Sequence, residues 1–352
     1  MHEKKGVPQP DTTNKAAAAG IQKSRSKQPS VAEFVAHILA GDISFLSRAI
    51  TLVESTNAAH QEKAAEILDA CLPHANKSVR IGITGVPGAG KSTFIETFGK
   101  QATSFGKKVA VLAVDPSSSV HKGSILGDKT RMESLVTDPN AFIRPSPSGT
   151  SLGGVAQKTR ESIVLCEAAG FDYILIETVG VGQSETAVHN MVDFFLLLKL
   201  AGAGDELQGM KRGIIEMADA IVINKADGDN LAQTKIAKAA FTNALHLYPL
   251  SKNGWQPKVL TASALYNKGI LEIQQLFEQF ITHTKANGSF QENRNTQNSH
   301  WLHSTIEQQL KDDFYKNTAI QEGLQAALHN LENSTTTPFN AAKKLITLAK
   351  KH

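Results

Sequence analysis

Cysteine is scarce in this chain: Cys71 and Cys166 are its two in 352 residues. Two thiols provide no disulfide framework, and both lie in apolar, helix-patterned stretches where cysteine serves as core. That usage points to a reducing compartment, so the expected location is cytoplasmic. Aromatic residues are sparse at 6%, and no basic patch is interleaved with them. The formal net charge of +4 is small for this length, so nothing in the balance argues for nucleic acid. Long apolar runs are missing as well. The longest, Phe194 to Gly204, is interrupted by Lys199 and is too short to span a bilayer. Neither a membrane nor a nucleic acid is expected as a partner. Residues 1–29 also lack the apolar core of a secretory signal. Lys4, Lys5, Lys15, Lys23, Arg25 and Lys27 sit there among Ala, Ser, Gln and Pro, opposed by Glu3 and Asp11. Such a composition reads as a disordered, solvated tail rather than an Arg-rich transit peptide.

What the chain does have is enough apolar residue, 41%, to bury a sizeable core. Residues 30–76 read as a helical extension: Phe34, Val35, Ile38 and Leu39 form one stripe, and Asp42 is a good N-cap for the next. From Val79 onward, short apolar runs alternate with helical patterns. The strand candidates are 79–84, 108–114, 141–144, 173–176, 193–198, 219–223 and 258–261. Several are continuously apolar, as strands buried on both faces of a parallel sheet should be. This repetition predicts an α/β domain over 77–285, with a doubly wound, mostly parallel sheet. Asn287-Gly288-Ser289 and the polar run Gln291–Ser299 look like a linker. Beyond it, Trp301, Ile306, Leu310 and Phe314, then Leu324, Leu328 and Leu331, return to helical spacing. Their apolar stripes need a partner, so the helices of 286–352 either pack back on the domain or bury against a second subunit, and a homodimer is the favoured expectation.

The sharpest motif follows the first strand. Gly85-Val86-Pro87-Gly88-Ala89-Gly90-Lys91-Ser92-Thr93 is a Gly-x-x-x-x-Gly-Lys-Ser loop between a strand and a helix-compatible run, the required context of a P-loop. Backbone N–H groups curled by the glycines cradle phosphates, and the helix N-terminus adds partial positive charge. Lys91 is placed to reach the β- and γ-phosphates and the Ser92 hydroxyl to ligate Mg²⁺. Metal binding also calls for acids at strand ends, and Asp115 and Glu177 each follow a strand candidate. Asn224-Lys225-Ala226-Asp227, after the run Ile221–Ile223, suits guanine. An Asp carboxylate accepts the ring N1–H and the exocyclic amine, which adenine does not offer at those places. Lys225 would pack over the ring. A backbone N–H of Ser263-Ala264-Leu265 would meet guanine O6. Ras-like GTPases carry Gln directly after the switch glycine, whereas Val181 follows Gly180 here and Gln183 lies two further on. Slow intrinsic hydrolysis is expected.

At these residues the chain resembles the MeaB/ArgK/MMAA family of P-loop GTPases, partners of adenosylcobalamin-dependent acyl-CoA mutases. The resemblance rests on 85–93, 115–118, 124–132, 144–147, 152–156, 177–185, 204–209 with Lys211, and 224–227, and covers about 31–285 strongly. It implies a GTPase that gates cobalamin loading onto methylmalonyl-CoA mutase, or a related mutase, and protects it. By the same resemblance 123–132 is a first switch, with Asp128 near Mg²⁺ or the catalytic water. Residues 177–185 are a second, and 205–211 a mobile segment in which Gln208 and Lys211 respond to the mutase. An activity also attached to the family, a kinase linked to amino-acid transport, is the alternative. A nickel-inserting GTPase is a weaker one, since the twelve histidines are dispersed.

Overall fold

The computed structural model describes residues 29–114, 132–145, 152–178, 184–202 and 212–350. Seven strands, β1 (Val79–Gly85), β2 (Val109–Val114), β3 (Ala141–Arg144), β4 (Tyr173–Thr178), β5 (Phe194–Leu200), β6 (Ala220–Asn224) and β7 (Lys258–Thr261), form one sheet. All pairs are parallel, in the order β3-β2-β4-β1-β5-β6-β7. Each coincides with an expected strand, its ends shifted by at most two residues. The period-2 alternation of a strand explains how an unbroken apolar run serves two cores. In β2, Val109 and Val111 pack in one cluster while Ala110, Leu112 and Val114 pack in the other. Because β1 is central and its neighbours lie on opposite sides of the winding, its carboxyl end is the topological switch point where ligands bind in such sheets.

The helices that precede β1 are α1 (Val31–Leu39), α2 (Ile43–Glu54) and α3 (Ala58–Cys71). A capping box starts α1: the Ser30 hydroxyl accepts from Glu33 N–H at 3.2 Å, and the Glu33 carboxylate accepts from Ser30 N–H at 2.6 Å. Asp42 caps α2 by accepting from Ser44 and Phe45 N–H, as the sequence indicates. Phe34, Ile38, Leu46, Ile50, Ile67 and Cys71 share one core with the sheet. Along the sheet run α4 (Lys91–Ser104), α5 (Glu133–Val136), α6 (Leu152–Ala168), α7 (Ser184–His189), α8 (Arg212–Met217), α9 (Leu231–Leu245) and α10 (Ile270–Ala286). Cys166 is fully buried in α6, and burial pushes its thiol well up.

The expected linker is not one. After a turn at Asn287-Gly288, the polar run belongs to a 28-residue helix, α11 (Ser289–Lys316), followed by α12 (Thr318–Glu332) and α13 (Pro338–Ala349). Hydrophobic periodicity misses its first turns because they dock through polar side chains. Arg294 and Gln297 are the buried ones. Arg294 reaches Asp193 with two bonds of 2.8 and 2.7 Å and donates to the Ser78 carbonyl at 2.8 Å.

Asp219, just ahead of β6, accepts the Phe195 N–H at 2.8 Å. Desolvation outweighs that bond and pushes the carboxyl up from 3.8 to about 7, although the residue as a whole keeps partial exposure. A raised folded pKa means the native state holds its proton longer than the unfolded chain. Stability therefore falls as pH climbs from about 4 to about 7. Asp219→Asn keeps an acceptor for Phe195 and removes the titration. Discounted for partial exposure, the wild type should lose on the order of 1–2 kcal/mol against this variant across the window. Melting temperatures of the two that run parallel with pH would refute it.

Candidate functional site

The site grows from the carboxyl end of β1. Gly85 has no room for a side chain: a Cβ there would lie 2.4 Å from the Leu198 carbonyl oxygen of β5. The loop continues through Val86, Pro87, Gly88 and Ala89 to Gly90, whose φ of 84° is left-handed and whose Cβ would lie 2.7 Å from Asn224 Nδ2. Helix α4 then begins at Lys91 without a side-chain cap. Its first amides are the groups a helix leaves for an anion.

Lys91 is buried and folds back across the loop, its Nζ 2.9 Å from Gly85 O and 3.3 Å from Val86 O. Desolvation lowers its pKa, while the Glu177 and Glu185 carboxylates oppose the shift. The Ser92 hydroxyl donates to Glu177 Oε1 at 3.2 Å. Glu177 lies inside β4 rather than just beyond it, because the strand runs on to Thr178, whose hydroxyl bonds to that of Thr84 at 2.9 Å. A hydroxyl and a carboxylate converging on one point are hard oxygen donors. Mg²⁺ takes such a pair when phosphates and waters complete its octahedron, so the set fits this metal. Thr93 follows in the first turn and accepts the Thr97 hydroxyl through its carbonyl at 2.9 Å.

On the other side of the loop, Asn224 ends β6 and ties two segments together. Its Nδ2 donates to Ala89 O at 2.9 Å and its Oδ1 accepts from Ala264 N–H at 3.2 Å. Lys225 takes a left-handed φ of 58°, a backbone strain of the sort held at functional sites. The Ser263 hydroxyl donates to Asp227 Oδ2 and so orients the carboxylate. Thr97 reaches across from α4 to Ala264 O at 2.9 Å, and Leu265 stands largely exposed. Three segments far apart in sequence, 85–93, 224–227 and 263–265, thus meet in one place. Thr97 and the buried Glu185, at the start of α7, stand out in space although a strand-and-loop reading gives them no particular role. Asp115, Asp128 and Lys211 lie outside the described residues, as do Gly180, Val181, Gln183 and Gln208.

A parallel sheet carrying this loop at the end of its central strand defines a P-loop protein. The family described as methylmalonyl Co-A mutase-associated GTPase MeaB matches residues 46–319. That match extends beyond the 285 at which the resemblance weakens by motif. The chain is 46% identical to the GTPase ArgK of Escherichia coli (strain K12), over 90% of this chain and 96% of that protein. It is 43% identical to the mouse (Mus musculus) protein named "Methylmalonic aciduria type A homolog, mitochondrial", over 92% of this chain and 80% of that one. A solved structure titled "LAO/AO transport system kinase" superposes with a TM-score of 0.72 at 40% identity, covering 91% of this chain and 97% of that one. The protein belongs to the MeaB family of P-loop GTPases. Among the described residues no helix is long and apolar enough to cross a membrane.

Proposed function

We propose that the protein hydrolyses GTP to GDP and phosphate. We further propose that it serves as a chaperone of an adenosylcobalamin-dependent acyl-CoA mutase of the methylmalonyl-CoA mutase type, gating cofactor loading and protecting the enzyme. The observation that carries the nucleotide reading is the double tie of Asn224 to Ala89 and Ala264 beside the oriented Asp227. It joins a base-reading carboxylate rigidly to a phosphate loop. In this reading Gly85–Thr93 wrap the phosphates, and Lys91 leaves its loop carbonyls for the β- and γ-oxygens. Asp227 accepts guanine N1–H and the amine, Lys225 covers the ring, and a backbone N–H of 263–265 meets O6. Ser92 and Glu177, with Asp115 and Asp128, would hold Mg²⁺, which neutralises charge building on the phosphoryl oxygens. Water attacks the γ-phosphorus in line as the bond to the β-bridging oxygen breaks. Lys91 and the loop amides stabilise the transition state.

The mutase half rests on the family's description and on the mouse relative's name. Leu302, Ile306 and Leu310 are 61%, 46% and 65% exposed along one face of α11, which supports a homodimer made through the helical arm. The name of the solved relative favours a second reading, phosphoryl transfer to an acceptor other than water. Radiolabelled GTP decides between them: label in free phosphate alone supports hydrolysis, and label on an acceptor supports the kinase.

Calorimetry should show GTP bound well ahead of ATP, and unassisted turnover should stay below about 1 s⁻¹. Capture from native extract, with GDP and with a non-hydrolysable GTP analogue in parallel, should recover an acyl-CoA mutase. Recovery in neither state would remove the chaperone reading and leave the GTPase reading intact.

A further inference from the structure

Away from the nucleotide loop, α6, α7 and α11 enclose a cavity of about 210 Å³. Its wall includes Gln157 and Arg160 of α6, Asn190 just after α7, and His300, Trp301 and Thr305 of α11. Among the described residues, Arg160 is the one permanently charged lining group and no carboxylate lines the cavity. The Arg160 guanidinium lies over the Trp301 ring, 5.5 Å from its centroid. One guanidinium nitrogen, Nη1, donates to Gln297 O at 2.8 Å. The other, Nη2, and the indole Nε1 of Trp301 are both shut off from water and have no hydrogen-bond partner among the described residues. Two stranded donors, one of them cationic, are costly to bury. Both residues line the cavity in contact with each other, so together the two donors suit an acceptor with two oxygens and one negative charge.

We propose that this cavity binds a small organic carboxylate, one oxygen accepting from Arg160 Nη2 and the other from Trp301 Nε1. A carboxylate suits the site better than a phosphate dianion, because a single guanidinium supplies the positive charge and Arg–carboxylate bonds are charge-assisted. Neither nitrogen is reached by a water-sized sphere as the ring now lies, so binding tilts Trp301. The ring's fluorescence is therefore the natural reporter. Occupancy also fastens α11 to α6, since both donors sit at that junction, and the bound form should melt at a higher temperature.

Succinate is the test probe, with inorganic phosphate beside it. The chain has two tryptophans, so Trp255→Phe leaves Trp301 as the sole emitter. Titration should change its emission saturably, with a dissociation constant of about 1 mM. Calorimetry on the unaltered protein should give the same constant. Arg160→Gln should weaken binding about tenfold or more, the loss of one charge-assisted bond. Trp301→Phe should weaken it less, and far-ultraviolet dichroism should show both variants folded. No saturation by calorimetry up to about 20 mM overturns the proposal. So does succinate affinity unchanged in folded Arg160→Gln, or binding of phosphate with none of succinate.

Discussion

Arg294→Ala should destabilise the protein by roughly 3–5 kcal/mol, because it strands buried carboxylates rather than merely deleting a contact. Arg294 carries the first turns of α11 onto the base of the sheet. It bonds both oxygens of Asp193 at 2.8 and 2.7 Å and donates to the carbonyls of Asn76 and Ser78 at 3.1 and 2.8 Å. Behind it, Glu167 takes Arg80 Nε at 2.9 Å and the Asn76 N–H at 2.9 Å. The four charges therefore form one buried network at the amino ends of β1 and β5. Truncating Arg294 leaves the Asp193 carboxylate, among the described residues, with the Arg80 backbone N–H at 2.8 Å, and removes four hydrogen bonds at once. The measurement is denaturant unfolding, with limited proteolysis of 289–316 as a second readout of the released helix. Arg294→Lys should fall between, since one ammonium cannot match the fork of a guanidinium. Adding Asp193→Asn to Arg294→Ala should restore part of the loss, because it removes the stranded charge. A change under about 0.5 kcal/mol in Arg294→Ala, typical of a surface substitution, would show that the network does not hold the arm.

That network also marks where the sequence stops being informative. The strands were legible because a buried parallel strand writes itself as an unbroken apolar run, as Tyr173–Ile176 and Ile221–Ile223 do. The P-loop was legible because its geometry demands glycine where Cβ has no room, at Gly85 and Gly90. The first turns of helix α11, up to Ser299, were hidden, since Arg294 and Gln297 dock them by hydrogen bonds and the polar run Gln291–Ser299 carries no apolar stripe; its later part was legible from Trp301, Ile306, Leu310 and Phe314. Strand β4 proved longer than its apolar part because the Thr178–Thr84 hydroxyl pair prolongs it. The link from Asn224 to Ala89 and Ala264 was equally invisible: residues 135 and 40 positions away meet through side-chain and backbone atoms whose placement only the winding of the sheet decides. Spacing gives residue types for chemistry; it does not give which of their atoms are already engaged.

Engaged atoms decide the second large effect. Asp227→Asn should cut GTP affinity at least about 100-fold, as expected where a site built for two donors meets one of its own. In the wild type the Ser263 hydroxyl occupies one lone pair of Oδ2. In the proposed reading, the remaining pairs on the two oxygens accept from guanine N1–H and the amine. An asparagine bonded to the same hydroxyl through its oxygen turns its NH₂ toward the base amine, donor against donor. Xanthine replaces that amine with a carbonyl and keeps N1–H, so the variant should bind xanthosine triphosphate better than GTP. Ser263→Ala, which loosens the carboxylate but leaves its charge, should cost about tenfold, near the net worth of one hydrogen bond to a charged group. Calorimetry with GTP, XTP and ATP on the wild type and both variants reads all of this. If Asp227→Asn held GTP within about threefold of the wild type, a difference below 1 kcal/mol, the carboxylate would not be reading the base. The guanine assignment would then fall while the phosphate loop stood.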